Sequence, residues 1–196
     1  MSTRLSPKRY DQIQEHANRL LITYSDLQFP IDLNIIMSQI PGVVLRMYSS
    51  ASEDEKRLLN MISEDGFTLT MDDMYIVWIN DDVFEERLRY SMAHELGHIV
   101  LGHFCKDDLS KEIQEAEANF FAHRLLAPMW AISQLSCKEP WNVSYQFGIS
   151  MECAYYRVKN YTQWSFWGSV MTEIEKIMSF AFSFKHLNAQ EAAYEF

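Results

Sequence analysis

One stretch constrains the chain more than any other: Ser91-Met92-Ala93-His94-Glu95-Leu96-Gly97-His98-Ile99-Val100-Leu101-Gly102-His103. It contains a His-Glu-x-x-His pattern. Residues four apart lie on one face of an α-helix, one turn above each other. His94 and His98 can therefore both turn an imidazole nitrogen towards one cation. Glu95, beside the first of them, can reach a water on that cation without ligating it. Zinc lowers the pKa of such a water to about 7, where a carboxylate can take its proton.

Two histidines do not complete a catalytic zinc site, which needs a third protein ligand and one open position. His103 is one candidate. Metzincins place their third histidine six residues after the second, but His103 follows His98 by five. On a continuing helix it is rotated off the ligand face, and it reads as a C-terminal residue meeting the negative end of the dipole. The run Glu115 to Pro128 is the other source. It is rich in Ala and Leu and ends at a proline, as a second helix does. Glu115 and Asn119 share a face there. A glutamate followed one turn later by a polar residue is the gluzincin arrangement. It gives a His, His, Glu site with Asn119 holding one of the histidines. Glu117 lies about 200° round the helix from Glu115, so only one of them can face the metal. Glu115 is favoured because Asn119 follows it, with Glu117 the alternative and a solvated helix face the ordinary fate of both. His123, one turn beyond Asn119, either reaches the site, donates to an oxyanion or is a buried structural histidine. His, His, Glu suits zinc, and such a site also takes manganese or another divalent ion.

His94-Glu95-Leu96-Gly97-His98 with Leu101-Gly102-His103, then Glu115-x-x-Ala118-Asn119-x-Phe121-Ala122-x-x-Leu125-Leu126-x-Pro128, resembles the ImmA/IrrE metallopeptidase family. Phe147-Gly148-Ile149-Ser150 followed by Arg157-Val158 is similar to that family's later Phe-Gly-Val-Ser and Arg-Leu element. Phe29-Pro30-Ile31-Asp32-Leu33 is similar to its early Pro-Ile-Asp-Leu turn. The resemblance spans residues 10 to 160 and rests on separate motifs in the right order. It implies a zinc endopeptidase that cuts a helix-turn-helix transcriptional repressor and so releases stress, phage or mobile-element genes. In zinc peptidases with this helix motif an edge strand holds the substrate chain by strand addition. The resemblance suggests the strand Tyr75 to Asn80 for that part. The competing reading is a non-proteolytic antirepressor or toxin–antitoxin component that keeps the fold and acts by binding.

The remaining chain sets bounds. A length of 196 residues fits one domain with a small appendage. A net charge of −10 and a pI near 5.0 argue against direct nucleic-acid binding, which needs clustered Lys and Arg. They suit a basic protein partner. Cys105, Cys137 and Cys153 are odd in number and far apart, as in the reduced thiols of a cytoplasm. The start lacks the apolar core of a signal peptide, and no apolar run is long enough to span a membrane.

Periodicity predicts helices over 7–25, 32–39 with Asp32 as N-cap, and 53–63. Strands are expected at 43–48, 66–71 and 74–80, the last two forming a hairpin round Asp72-Asp73. Asp81-Asp82 offers an N-cap for a motif helix over 83–104. Asp107, Asp108 and Ser110 are expected to link and cap the Glu115 helix. Ser150 is a cap for a helix to Tyr161. On it Tyr155, Tyr156 and Arg157 are candidates for substrate or oxyanion contacts, with core packing the plainer reading. A last helix over 163–185 and a loose tail complete the chain. The expected architecture is α+β: a mostly helical zincin-like domain over 1–162 with a small mixed sheet, and a C-terminal helical extension, 163–196, packing on it.

Overall fold

The computed structural model describes residues 5–24, 26–105, 109–166 and 171–193, with side chains described to 165 and again over 171–183. Helix α1 (Pro7–Tyr24) buries Ile13, Ala17, Leu20 and Leu21 along one stripe, as its 3.6-residue spacing requires. Asp32 caps α2 (Leu33–Gln39), its carboxylate accepting from the backbone N–H groups of Asn34 and Ile35 at 2.9 and 3.2 Å. Strand β1 (Val43–Met47) follows, then α3 (Glu53–Ile62), which opens on a reciprocal Ser52–Glu55 capping box.

Strands β2 (Gly66–Met71) and β3 (Met74–Ile79) form the hairpin round Asp72-Asp73. The sheet order is β1-β3-β2, with β3 parallel to β1 and antiparallel to β2. This corrects the expectation for Tyr75 to Asn80. That strand is central, and its backbone groups are paired on both sides, so it cannot receive another chain. The edge strand on the helical side is β2.

Helix α4 (Glu85–Val100) carries the motif. It is shorter than expected at both ends. Asp81 does not cap it, because its carboxylate accepts from the Ser49 backbone and hydroxyl instead. At the other end Gly102, with φ of +72°, turns the chain into a short 3-10 turn, His103–Cys105. Helix α5 (Lys111–Leu126) starts at Ser110, which makes no side-chain cap bond; Asp107 and Asp108 lie outside the described residues. Helices α6 (Met129–Gln134), α7 (Pro140–Phe147) and α8 (Met151–Phe166) follow. The last helix differs from the expected 163–185. Helix α8 runs on to Phe166, and α9 (Glu173–Ala193) begins beyond it; Trp167 and Val170 lie outside the described residues.

Helices α4 and α5 pack closely, and the reason is Gly97. A Cβ there would sit 3.0 Å from the Phe121 ring and 3.2 Å from the Ala118 Cα. The bare backbone lets the two helices approach, which sets the distance from the motif to Glu115. Two distant motifs meet at the far side of α4. The half-buried Arg89 guanidinium donates to the carbonyls of Ile31 and Gly148 at 2.9 and 3.1 Å. Phe29 meets Phe147 edge-on at 4.9 Å between centroids. Among the described residues no helix is long and apolar enough to cross a membrane.

Candidate metal centre

His94 and His98, one turn apart on α4, bring their Nε2 atoms to 3.1 Å. Glu115 on α5 stands over both, 3.2 Å from His94 Nε2 and 3.7 Å from His98 Nε2. A tetrahedral ion with bonds of about 2.0–2.1 Å has its ligands about 3.3 Å apart. The spacing fits that figure.

The donor set fits as well. His94 Nδ1 lies 3.0 Å from Asn119 Oδ1, an oxygen that can only accept, so Nδ1 carries the proton and Nε2 a lone pair. The Tyr90 hydroxyl donates to the same oxygen at 2.6 Å. Burial holds the Tyr90 phenol protonated, raised to about 12, with Cys153 and Glu115 adding to the push. Burial likewise pushes His98 down to about 3, with help from His94, His103 and Lys111, so it is neutral and able to ligate. The Nε2 lone pair of His94, the Nε2 of a neutral His98 and a carboxylate thus face one another, a donor set that suits a cation between them.

Glu95 is buried beside this group, and its Oε2 accepts from the Thr68 hydroxyl of β2 at 2.8 Å. Burial raises its carboxyl above the ordinary range, opposed by Thr68 and His94 and reinforced by Glu115. A carboxylate shifted in that direction is a better proton acceptor near neutral pH; a bound divalent ion would act the other way. All four residues line one open cleft of about 850 Å³, whose other wall includes Gly66, Phe67 and Thr68 of β2.

The structure separates Glu115 from Glu117. Glu117 is turned away and buried, 2% exposed, where it accepts from Arg9 and faces His103 Nε2 at 3.0 Å. It is neither a third ligand at this position nor a solvated side chain. His103 is also not at the cleft centre. The 3-10 turn swings it beneath His98, Nδ1 to Nδ1 at 2.9 Å, rather than leaving it on the helix end.

Other expected residues fall elsewhere. His123 packs behind Tyr90, ring centroids 5.5 Å apart, and does not line the cleft. Burial, with Arg157, Arg124 and His94, pushes it down to about 4. Tyr155 and Tyr156 are exposed and are not brought to the cleft. Arg157 is buried, and its guanidinium donates to the Ala127 carbonyl, tying α8 to the end of α5. Sequence reasoning missed Tyr90, Thr68 and Arg9. Tyr90 stands four residues before His94 and was open to the same helical spacing. Thr68 and Arg9 reach the site only through tertiary packing, and no local pattern marks them.

The fold is that of a mostly helical α+β domain of the zincin-like kind. The chain belongs to the Peptidase_M78 family, described as the IrrE N-terminal-like domain, whose model matches residues 41–159. Among solved structures it is similar to a Mycobacterium tuberculosis transcriptional regulator, with a TM-score of 0.53 at 15% identity, over 76% of this chain and 48% of that one. The present chain therefore spans about half the length of that neighbour, and at such identity the likeness is one of fold. Comparison with curated protein sequences finds no match.

Proposed function

We propose that the chain is a metal-dependent endopeptidase. His94, His98 and Glu115 hold a divalent ion, with zinc the first choice and manganese another. The carrying observation is the meeting of two imidazole Nε2 atoms and one carboxylate beside a buried glutamate in an open cleft. The ion, when bound, polarises a peptide carbonyl and acidifies water. Asn119 and Tyr90 keep His94 in the ligating tautomer. Glu95 takes a proton from the attacking water and passes it to the leaving amine. The free edge of β2 receives the substrate backbone, since β3 is fully paired.

The substrate proposed is a helix-turn-helix transcriptional repressor in the cytoplasm. Family membership and the charge of −10, which favours a basic partner, support this choice. The test is incubation of the chain, loaded with zinc, with a candidate repressor, followed by mass spectrometry of fragments. Wild type should cut, and Glu95→Gln should cut at least about 100-fold more slowly while retaining metal. Equal cleavage by the variant would sink the mechanism. Loss of DNA binding by the repressor without any fragment would instead favour an antirepressor that acts by binding.

A further inference from the structure

Behind His98 lies a chain of polar side chains that the reaction above does not use. The Arg9 guanidinium of α1 donates twice to the Glu117 carboxylate, from Nε at 2.6 Å and Nη2 at 2.5 Å. Glu117 Oε2 is 3.0 Å from His103 Nε2. His103 Nδ1 is 2.9 Å from His98 Nδ1. The side chains of His103 and Glu117 are 1% and 2% exposed. Water therefore does not compete for the Glu117–His103 and His103–His98 contacts, and their partners decide where each proton sits.

With His103 neutral, that decision has one self-consistent answer. A carboxylate already accepting from an arginine is an acceptor for its histidine too, so His103 Nε2 carries a proton. Neutral His103 then has a lone pair on Nδ1. The contact to His98 Nδ1 is a hydrogen bond only if His98 supplies the proton. With Nδ1 protonated, His98 keeps its lone pair on Nε2, the atom 3.1 Å from His94 Nε2 and facing Glu115. The opposite polarity would place a proton on His98 Nε2, where it would block the ion.

We propose that Arg9, Glu117 and His103 form a positioning relay that fixes the tautomer and ring orientation of His98 for metal ligation. It rests on the reading of His94, His98 and Glu115 as ligands. None of the three relay residues belongs to the His94, His98 and Glu115 group. Arg9 lies outside the residues matched by the family model, 41–159, so α1 belongs to the working centre of this chain and is not a separate scaffold. The relay mirrors Tyr90–Asn119 at His94, so each histidine is steered from its own side.

The test uses the full chain and two readouts. Zinc affinity is measured by competition with a chromophoric chelator for wild type, His103→Phe, Glu117→Gln and Arg9→Met, with thermal unfolding of each metal-free chain alongside. Long-range proton–nitrogen NMR on the metal-free wild type reads the tautomers directly. His103 should carry its proton on Nε2 and His98 on Nδ1. His103→Phe and Glu117→Gln should weaken zinc binding about 10- to 100-fold, the range for such supporting groups, and Arg9→Met by less. His103→Gln, which can still accept from His98, should recover part of the affinity. Zinc affinity within twofold of wild type for folded His103→Phe and Glu117→Gln overturns the relay, as does a proton on His103 Nδ1. A wild-type chain that takes up no zinc overturns the metal reading itself, and the relay with it, whereas variants that bind as tightly as a binding wild type overturn the relay alone.

Discussion

Asn119 gives one oxygen to two donors, and that is why a single amide can matter at the centre. Replacing it with Ala leaves the Tyr90 hydroxyl and His94 Nδ1 without their acceptor. The expected result is a loss of zinc affinity of about 10- to 100-fold, read by chelator competition, with the fold retained. His123 supports a different prediction. Its folded pKa is about 4 against an ordinary 6.5, so between those values the unfolded chain takes up a proton that the folded chain refuses. Stability is therefore full above pH 6.5 and falls as pH drops towards 4, by at most about 3 kcal/mol. Denaturant melts of metal-free wild type and His123→Phe across that range check it, and the variant should show the shallower slope. At this scale the spacing of His94 and His98 was legible, because four-residue periodicity is a local property. The position of His103 was not. Its place depends on Gly102 ending the helix and a 3-10 turn returning the chain, and an extrapolated helix cannot show that.

Elements meet where side chains are small. Gly97 sits between α4 and α5 with the Ala118 backbone, as well as the Phe121 ring, among its near neighbours. Ala in place of Gly gains about 1 kcal/mol of helix propensity, but crowding against Ala118 costs about 1–3 kcal/mol. Gly97→Ala should therefore lose about 1 kcal/mol overall by urea denaturation. It should also bind zinc more weakly, since the helices that carry the ligands are pushed apart. Unchanged stability together with unchanged affinity would contradict that account of the crossing. Most elements were readable from hydrophobic period and turn residues: α1, the Asp32 cap, α3 and the Asp72-Asp73 hairpin. Strand order was not, because three apolar strands carry no label for which lies in the middle. The start of α4 was misread because Asp81 had a competing partner in Ser49, a residue distant in sequence.

At the scale of the whole molecule, α9 joins the same core as the motif-bearing part. Met178 and Phe182 are buried, and Phe182 packs on Trp130 and Phe29 at centroid distances of 5.9 and 6.1 Å. Phe182→Ala should cost about 3–5 kcal/mol in a single unfolding transition. Two separate transitions would show instead that α9 unfolds independently. A hydrophobic share of 48% suits a chain with a sizeable core, and the buried set runs from Leu5 to Phe182. What composition could not supply was the reach of α1 and α9 round the central helices, which follows from packing.

Thr68 grips Glu95 from β2, so on the proposed reading one ribbon both seats the ligand and steadies the base. Chain length then becomes a kinetic variable. A peptide long enough to lie along β2 stiffens the ribbon and with it the carboxylate, whereas a two- or three-residue fragment leaves both slack. Trimming a good substrate from its ends should lower kcat as well as raise KM, and Thr68→Val should flatten that dependence on length.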